Sequence, residues 1–148
     1  MDAISTGRER TQLDADTILE LLANRRRRYL LYALRGYDEP VALSELAEEV
    51  ASWEHDVPPE EVAKNEYKSV YVSSVQCHVP KLADAGVVEH DETNHTVILS
   101  DRFEQLEPYL QLVMLDEPEH SILHESLQRE SGDSIIRQIR ENVARLRP

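Results

Sequence analysis

The feature that most limits what this chain can become is a pair of β-rich runs, Val87–Asp91 and Thr96–Leu99, joined by Glu92, Thr93, Asn94 and His95. Two such runs flanking a four-residue connection specify an antiparallel hairpin. Most of the other apolar patterns step by three and four, the spacing of one helix face. The chain must therefore build a mainly helical body with one small hairpin set into it.

The helical windows follow in a definite order. Asp16 is placed to cap a first helix whose apolar face is Ile18, Leu19, Leu21 and Leu22. Asn24 and the arginines Arg25, Arg26, Arg27 and Arg28 come next, and Tyr29, Leu30, Ala33 and Leu34 mark a second helix ending near Gly36. After Pro40, Val41–Leu43 is short and extended, and Ser44 is placed to cap a third helix through Ala51 with Leu46, Ala47 and Val50 facing inward. Ser52 to Pro59 reads as a loop, with Trp53 plugging the core. A longer helical pattern runs from about Glu60 to Ala85, with an interruption near Lys64 or Asn65. Its expected buried face is Val72, Val75, Val79 and Leu82, and Pro80 predicts a kink or a tightened last turn. Beyond the hairpin, Ser100 or Asp101 caps a helix carrying Phe103, Leu106, Leu110 and Val113, which Pro108 breaks in two. The expected division is a flexible start over 1–14, one domain over 15–100 and a helical extension over 101–148.

Helix, helix, short strand, helix, longer helix and hairpin is the order of a winged helix-turn-helix. The fold class expected is thus mainly α with a small β-hairpin wing and C-terminal helices. In that architecture the longer helix projects from the body and can enter a major groove about 12 Å wide. At 100° per residue, Ser69, Ser73, Gln76, Cys77 and Pro80 lie opposite the expected core face, with Tyr71, Ser74 and His78 on a flank. Hydroxyls and an amide bond base edges or phosphates, and Lys64, Lys68 and Lys81 supply positive charge.

Net charge decides how far this can be carried. The chain stands at −13, which opposes a phosphate backbone. Its distribution is uneven, however. Asp38–Val62 holds nine carboxylates and no Lys or Arg, whereas Leu21–Tyr37 has five arginines and no acid, and Tyr67–Ala83 has Lys68 and Lys81 and no acid. Part of each window belongs to the core, and the remainder is surface kept clear for an anionic partner. Four consecutive arginines on a helix point all round, so Arg25 and Arg28 are expected at phosphate and Arg26 or Arg27 against the acidic third helix. The wing tip, with Asp91 and Glu92 and no cation, is a poor minor-groove contact. Acidity with only three lysines also fits molar cytoplasmic salt, where the Debye length falls to about 3 Å.

The segment Ser44–Leu99 carries Ser-Glu-Leu-Ala-Glu-Glu-Val, Ala-Ser-Trp-Glu and Gln-Cys-His-Val-Pro-Lys-Leu-Ala-Asp-Ala-Gly-Val-Val-Glu, followed by the hairpin. With Leu-Leu-Ala-Asn-Arg-Arg-Arg-Arg-Tyr upstream, it resembles, over roughly residues 15–100, a winged-helix domain family abundant in halophilic archaea. The resemblance implies the architecture and, through it, DNA binding. The Leu-Ala-Asp-Ala-Gly-Val-Val run is also distantly similar to arsenic-repressor-like regulators, but the paired cysteines of their metal-sensing members are missing.

Other chemistry finds little support. Cys77 is the only cysteine, so no intrachain disulfide or cysteine metal cluster forms, although an outward thiol is open to oxidants. His120 and His124 are four apart without a specified third ligand, so no metal is assigned. No phosphate-cradling glycine loop and no recognisable Ser-His-Asp context occurs, and neither a cofactor nor an enzyme activity is expected. No apolar run reaches the length of a membrane span, and Met1–Leu13 lacks the apolar stretch of a secretory signal, so a cytoplasmic location is expected.

The reading is a sequence-specific DNA-binding transcription regulator on double-stranded DNA. It is expected to form a homodimer through Phe103, Leu106, Leu110 and Val113 together with Ile136, Ile139, Val143 and Leu146. Its alternative is a winged-helix module that binds protein through the acidic third helix.

Overall fold

The computed structural model describes residues 12–117. The expectations for residues 1–11 and 118–148, among them the seam of Ile136, Ile139, Val143 and Leu146 and the pair His120 and His124, lie outside the described residues. In chain order the elements are α1 (Ala15–Leu22), α2 (Arg25–Leu34), β1 (Val41–Ala42), α3 (Leu43–His55) and a 3₁₀ turn at Pro59–Glu61. Then α4 (Lys64–Ser73) passes through a π turn (Ser74–His78) into α5 (Val79–Asp84), and β2 (Val88–Asp91), β3 (Thr96–Leu99) and α6 (Phe103–Met114) follow. The fold is mainly helical with a small three-stranded antiparallel sheet in the order β1-β3-β2.

Capping explains where the first helices start. Asp14, not Asp16, caps α1, its carboxylate accepting from the Thr17 N–H at 2.8 Å. That bond holds the Asp14 carboxyl below the ordinary range and leaves Asp16 in the first turn, where a negative charge suits the helix dipole. Asn24 caps α2 by accepting from the Arg27 N–H at 3.2 Å. From Tyr29 to Leu34 every residue of α2 is buried, so this helix is packed on all sides and forms the centre of the core.

The third helix departs from the sequence reading at both ends. Its N-cap is Ala42, so Ser44 lies inside the first turn, and it runs on to His55 before Asp56 closes it in the left-handed region at φ 52°. Trp53 therefore sits in the last helical turn rather than in a loop. It is buried edge-on against Tyr29, with ring centroids 6.0 Å apart.

The sheet is pinned by the hairpin. Val88 pairs with Leu99 and Asp91 with Thr96, and on the other edge of β3 Val41 pairs with Val97. Asp91 organises the connection by accepting from the backbone N–H groups of Thr93 and Asn94 and from the Asn94 amide. At the exit of α5, Gly86 takes φ +79°, and a Cβ there would stand 2.5 Å from the Arg102 guanidinium. Any other residue here would be strained and would have to push the Arg102 side chain aside, so the position favours glycine, which also sets the direction in which β2 leaves.

Two prolines fall inside helices with opposite results. The sequence predicts a break at Pro108, yet α6 is continuous through it. It predicts a kink or a tightened turn at Pro80, but the turn before that proline is widened instead: the Val79 N–H reaches the Ser74 carbonyl, five residues back. The ring of a proline clashes with the carbonyl four residues earlier, and a π turn is one way to relieve it.

Candidate functional site

Counting along a regular α-helix puts Val72, Val75, Val79 and Leu82 on one inward face. The π turn overturns that count by absorbing an extra residue. The buried set is Val70, Ser74, His78, Val79 and Leu82, Val75 is half-buried, and Val72 is exposed. Opposite the buried set, Lys64, Asn65, Lys68, Ser69, Val72, Gln76 and Cys77 all face solvent. The residues from Asn65 to Cys77 on this face border a shallow groove of about 560 Å³, whose other wall is Arg26 from α2.

Arg26 joins three helices. Its Nε and Nη2 donate to the two carboxylate oxygens of Glu54 on α3 at 2.6 and 3.0 Å. Its Nη1 donates to Ser73 Oγ at 3.1 Å and to the Ser69 carbonyl at 3.3 Å on α4. A bidentate guanidinium–carboxylate pair has fixed geometry, so this contact sets how α4 lies on α2 and α3. It also fulfils the expectation that Arg26 or Arg27 meets the acidic third helix. Arg27 does something else: buried, it donates to the carbonyls of Leu21 and Glu20 at 2.9 and 2.8 Å, closing the C-terminus of α1, and approaches His78 Nδ1 at 3.4 Å.

Several expected site residues are placed elsewhere. Arg28 points away from the groove and bonds Glu117 and the Leu22 carbonyl, beside the buried Tyr32. Its position next to the end of α1 dictates this, and it is withdrawn as a phosphate contact. Ser74 is fully buried by the π turn and is withdrawn as a base contact. Ser73 lines the groove, but its hydroxyl already accepts from Arg26 and donates to the Val70 carbonyl at 3.2 Å. Lys81 pairs with Glu20 of α1 at 3.2 Å. Tyr71 stacks on Tyr67 with centroids 5.8 Å apart. Arg25, Lys64 and Lys68 are exposed and have no ion-pair partner among the described residues.

Three acids around this face are occupied, whereas Glu45 and Glu48, which share a hollow with Lys64, have no ion-pair partner among the described residues. Glu54 is taken by Arg26, Glu20 faces Lys81, and Glu66 turns back to the Ala63 N–H and to His55 Nδ1 at 3.2 Å. Burial, then the nearby Arg27 and Arg26, keep the His78 imidazole pKa below its ordinary value. The hairpin tip presents Asp91, Glu92 and His95, all exposed.

The expected dimer residues need correction as well. Phe103, Leu106 and Leu110 are buried in this chain's own core, because α6 packs back on α1, where Gln105 Oε1 accepts from the Leu13 N–H at 2.7 Å. Val113 is half-buried, and the apolar side chains that α6 exposes are Tyr109 and Leu112, with Leu115 just beyond. A second hollow of about 320 Å³ is lined by Ser44, Glu45, Glu48, Pro59, Val62 and Tyr67, with Lys64 at its edge. No group of three metal-ligating side chains exists among the described residues. Nor is any helix among them long and apolar enough to cross a membrane.

Sequence reasoning missed Asn65, Val72 and Arg26 as groove residues. The one signal that could have found Val72 was Pro80, whose ring crowds the carbonyl four residues earlier and so can displace the regular helix on which the inward count relied.

Residues 19–98, more than half of the chain, match the family described as Domain of unknown function (DUF7344), and the chain belongs to that family. No curated protein and no solved structure matches it.

Proposed function

We propose that this member of the DUF7344 family is a DNA-binding transcription regulator of the winged-helix type and not an enzyme. In this reading it acts in the cytoplasm as a homodimer, with α4 and α5 as the recognition helix and the β2–β3 hairpin as the wing. The observation that carries the reading is the outward face of α4. There Lys68, without an ion-pair partner among the described residues, and the polar side chains of Asn65, Ser69 and Gln76 stand in the open, while Glu54 is tied to Arg26 and Glu20 to Lys81; Lys64, also without an ion-pair partner among the described residues, stands at the end of this face, at the edge of the hollow lined by Glu45 and Glu48. On a chain of charge −13, unpaired cations and hydrogen-bonding side chains gathered on one helix face give a local surface that an anionic partner can approach in spite of the overall charge. The exposed apolar side chains of Tyr109, Leu112 and Leu115, none of which lines the groove, support pairing of two copies. The acidic composition fits work in molar salt, where long-range repulsion is screened.

The test is a fluorescence-anisotropy titration of duplex DNA from the chain's own upstream region, across a KCl series. Changing Lys64 and Lys68 together to Ala is expected to flatten the slope of log K against log salt by about 2, roughly 0.9 for each phosphate no longer neutralised. Because Cys77 is the only cysteine and borders the groove, its alkylation by a maleimide is expected to slow when the duplex is bound. An unchanged slope and an unprotected thiol would remove the DNA reading.

A second reading has the Glu45 and Glu48 hollow in its favour, whose acids and Tyr67 suit a cationic side chain of a protein partner. It gains ground if duplex DNA leaves Cys77 unprotected and Glu45→Gln with Glu48→Gln abolishes partner capture.

A further inference from the structure

Val72 is the odd residue on the groove. It is 37% exposed at the C-terminal end of α4, just before the π turn and one turn before Gln76, with Lys68 one turn behind and Ser69 beside it. A β-branched side chain in a helix gives up rotamer freedom, and it normally recovers that cost by packing against the core. Here the π turn has swung it out to solvent beside an amide and a cation.

Its chemistry matches one kind of duplex edge. In the major groove thymine offers a 5-methyl group and an acceptor, and adenine offers the N7 acceptor and the N6 donor pair that an amide side chain can meet with two hydrogen bonds. Residues four apart on a helix are separated by about 6 Å along its axis, and successive bases on one strand by about 3.4 Å. The pair therefore spans one or two base steps. Lys68 on the same stripe is placed for a phosphate.

We infer that Val72 and Gln76 form the sequence-reading pair of this helix: the Val72 isopropyl group packs on a thymine methyl, and the Gln76 amide bonds adenine N6 and N7 one or two base pairs away. The inference rests on the DNA reading above and adds the bases to it.

The experiment is selection from a random duplex library by the full chain in molar KCl, followed by affinity measurements on the enriched duplex with single-base analogues. Enriched duplexes are expected to share fixed A·T pairs. Replacing the thymine by uracil, which removes only the methyl, is expected to weaken the natural chain about fourfold, the worth of one buried methyl group. The same replacement should leave Val72→Ala unaffected. Changing adenine to 7-deazaadenine should likewise weaken the natural chain and not Gln76→Ala, which itself binds the intact site roughly tenfold more weakly. Both side chains are exposed, so both variants keep the thermal unfolding of the natural chain. Enriched duplexes without a fixed A·T pair, or uracil costing the natural chain and Val72→Ala alike, would overturn the assignment while leaving DNA binding in place. Retention of no duplex at all would overturn the DNA reading and the base assignment with it.

Discussion

The helix formed by α4 and α5 and the helix α6 start from the same ingredients: an apolar stripe at steps of three and four, and a proline inside. They end differently. In α6 the spacing of Phe103, Leu106 and Leu110 holds, all three are buried, and the helix passes through Pro108 unbroken. Pro108 is on the exposed face, where water can take up the carbonyl left without its N–H partner. Pro80 is half-buried and follows a π turn, and the residues before it no longer keep their count. A proline on the wet side of a helix thus costs one hydrogen bond, whereas one set against the core can rotate a whole face.

The largest effect that separates the two helices is expected from truncating their apolar side chains. Leu106 is fully buried, and Leu106→Ala is expected to destabilise the chain by about 3 kcal/mol in chemical denaturation. Val72→Ala, from the stripe that looks equivalent in sequence, should stay within about 0.5 kcal/mol. Similar losses at both sites would mean that Val72 packs inward after all and that the π turn does not set the exposed face.

Particular residues show why some of this was legible in sequence and some was not. The hairpin and the order of elements follow from local patterns, β-branched runs and turn residues, that need no knowledge of the rest of the chain. The continuation of α3 to His55 was also written there, since Leu46, Val50 and Trp53 keep helical steps, but Ser-Trp-Glu-His-Asp looks too polar to continue a helix. The fate of the four arginines was not legible. Arg28 meets Glu117, which lies 89 positions away, and Arg26 meets Glu54 and Ser73. Such pairings depend on how helices cross, and a periodicity count carries no such information. The groove residues were half legible for the same reason: counting places Lys68, Ser69 and Gln76 correctly, and it misplaces Val72 and Ser74 once the register slips.

A middle-sized effect sharpens the contrast between the prolines themselves. Pro108→Ala restores a backbone hydrogen bond in a helix that already has regular geometry, and it is expected to stabilise by about 1 kcal/mol. Pro80→Ala offers no such gain, because a regular helix there would turn Val79 and Leu82 off the core face they now share. Its denaturation midpoint is expected to stay level or fall, and its Cys77 alkylation rate to change as the groove face rotates. Equal gains from both substitutions would show that the π turn is not coupled to the proline that follows it.

The smallest effect is a pH dependence carried by His78, which has no counterpart in α6. The imidazole is buried where the π turn meets α2, with Arg27 at 3.4 Å and with Arg26 and Glu54 also acting on it. Burial first, then the charges of Arg27 and Arg26, lower its pKa, with Glu54 opposing. Between the lowered folded value and the ordinary value near 6.5, the unfolded chain binds the proton and the folded chain does not. Stability therefore rises with pH across that window, is fully present above it, and is lost as pH falls from 6.5 toward the folded value. His78→Asn keeps an acceptor near Arg27 without a titrating group, so its denaturation midpoint is expected to fall less steeply than that of the natural chain below pH 6.5. If both chains lost stability with the same slope, the proton would be binding elsewhere, and the burial of His78 beside Arg27 would not be the source of the pH dependence.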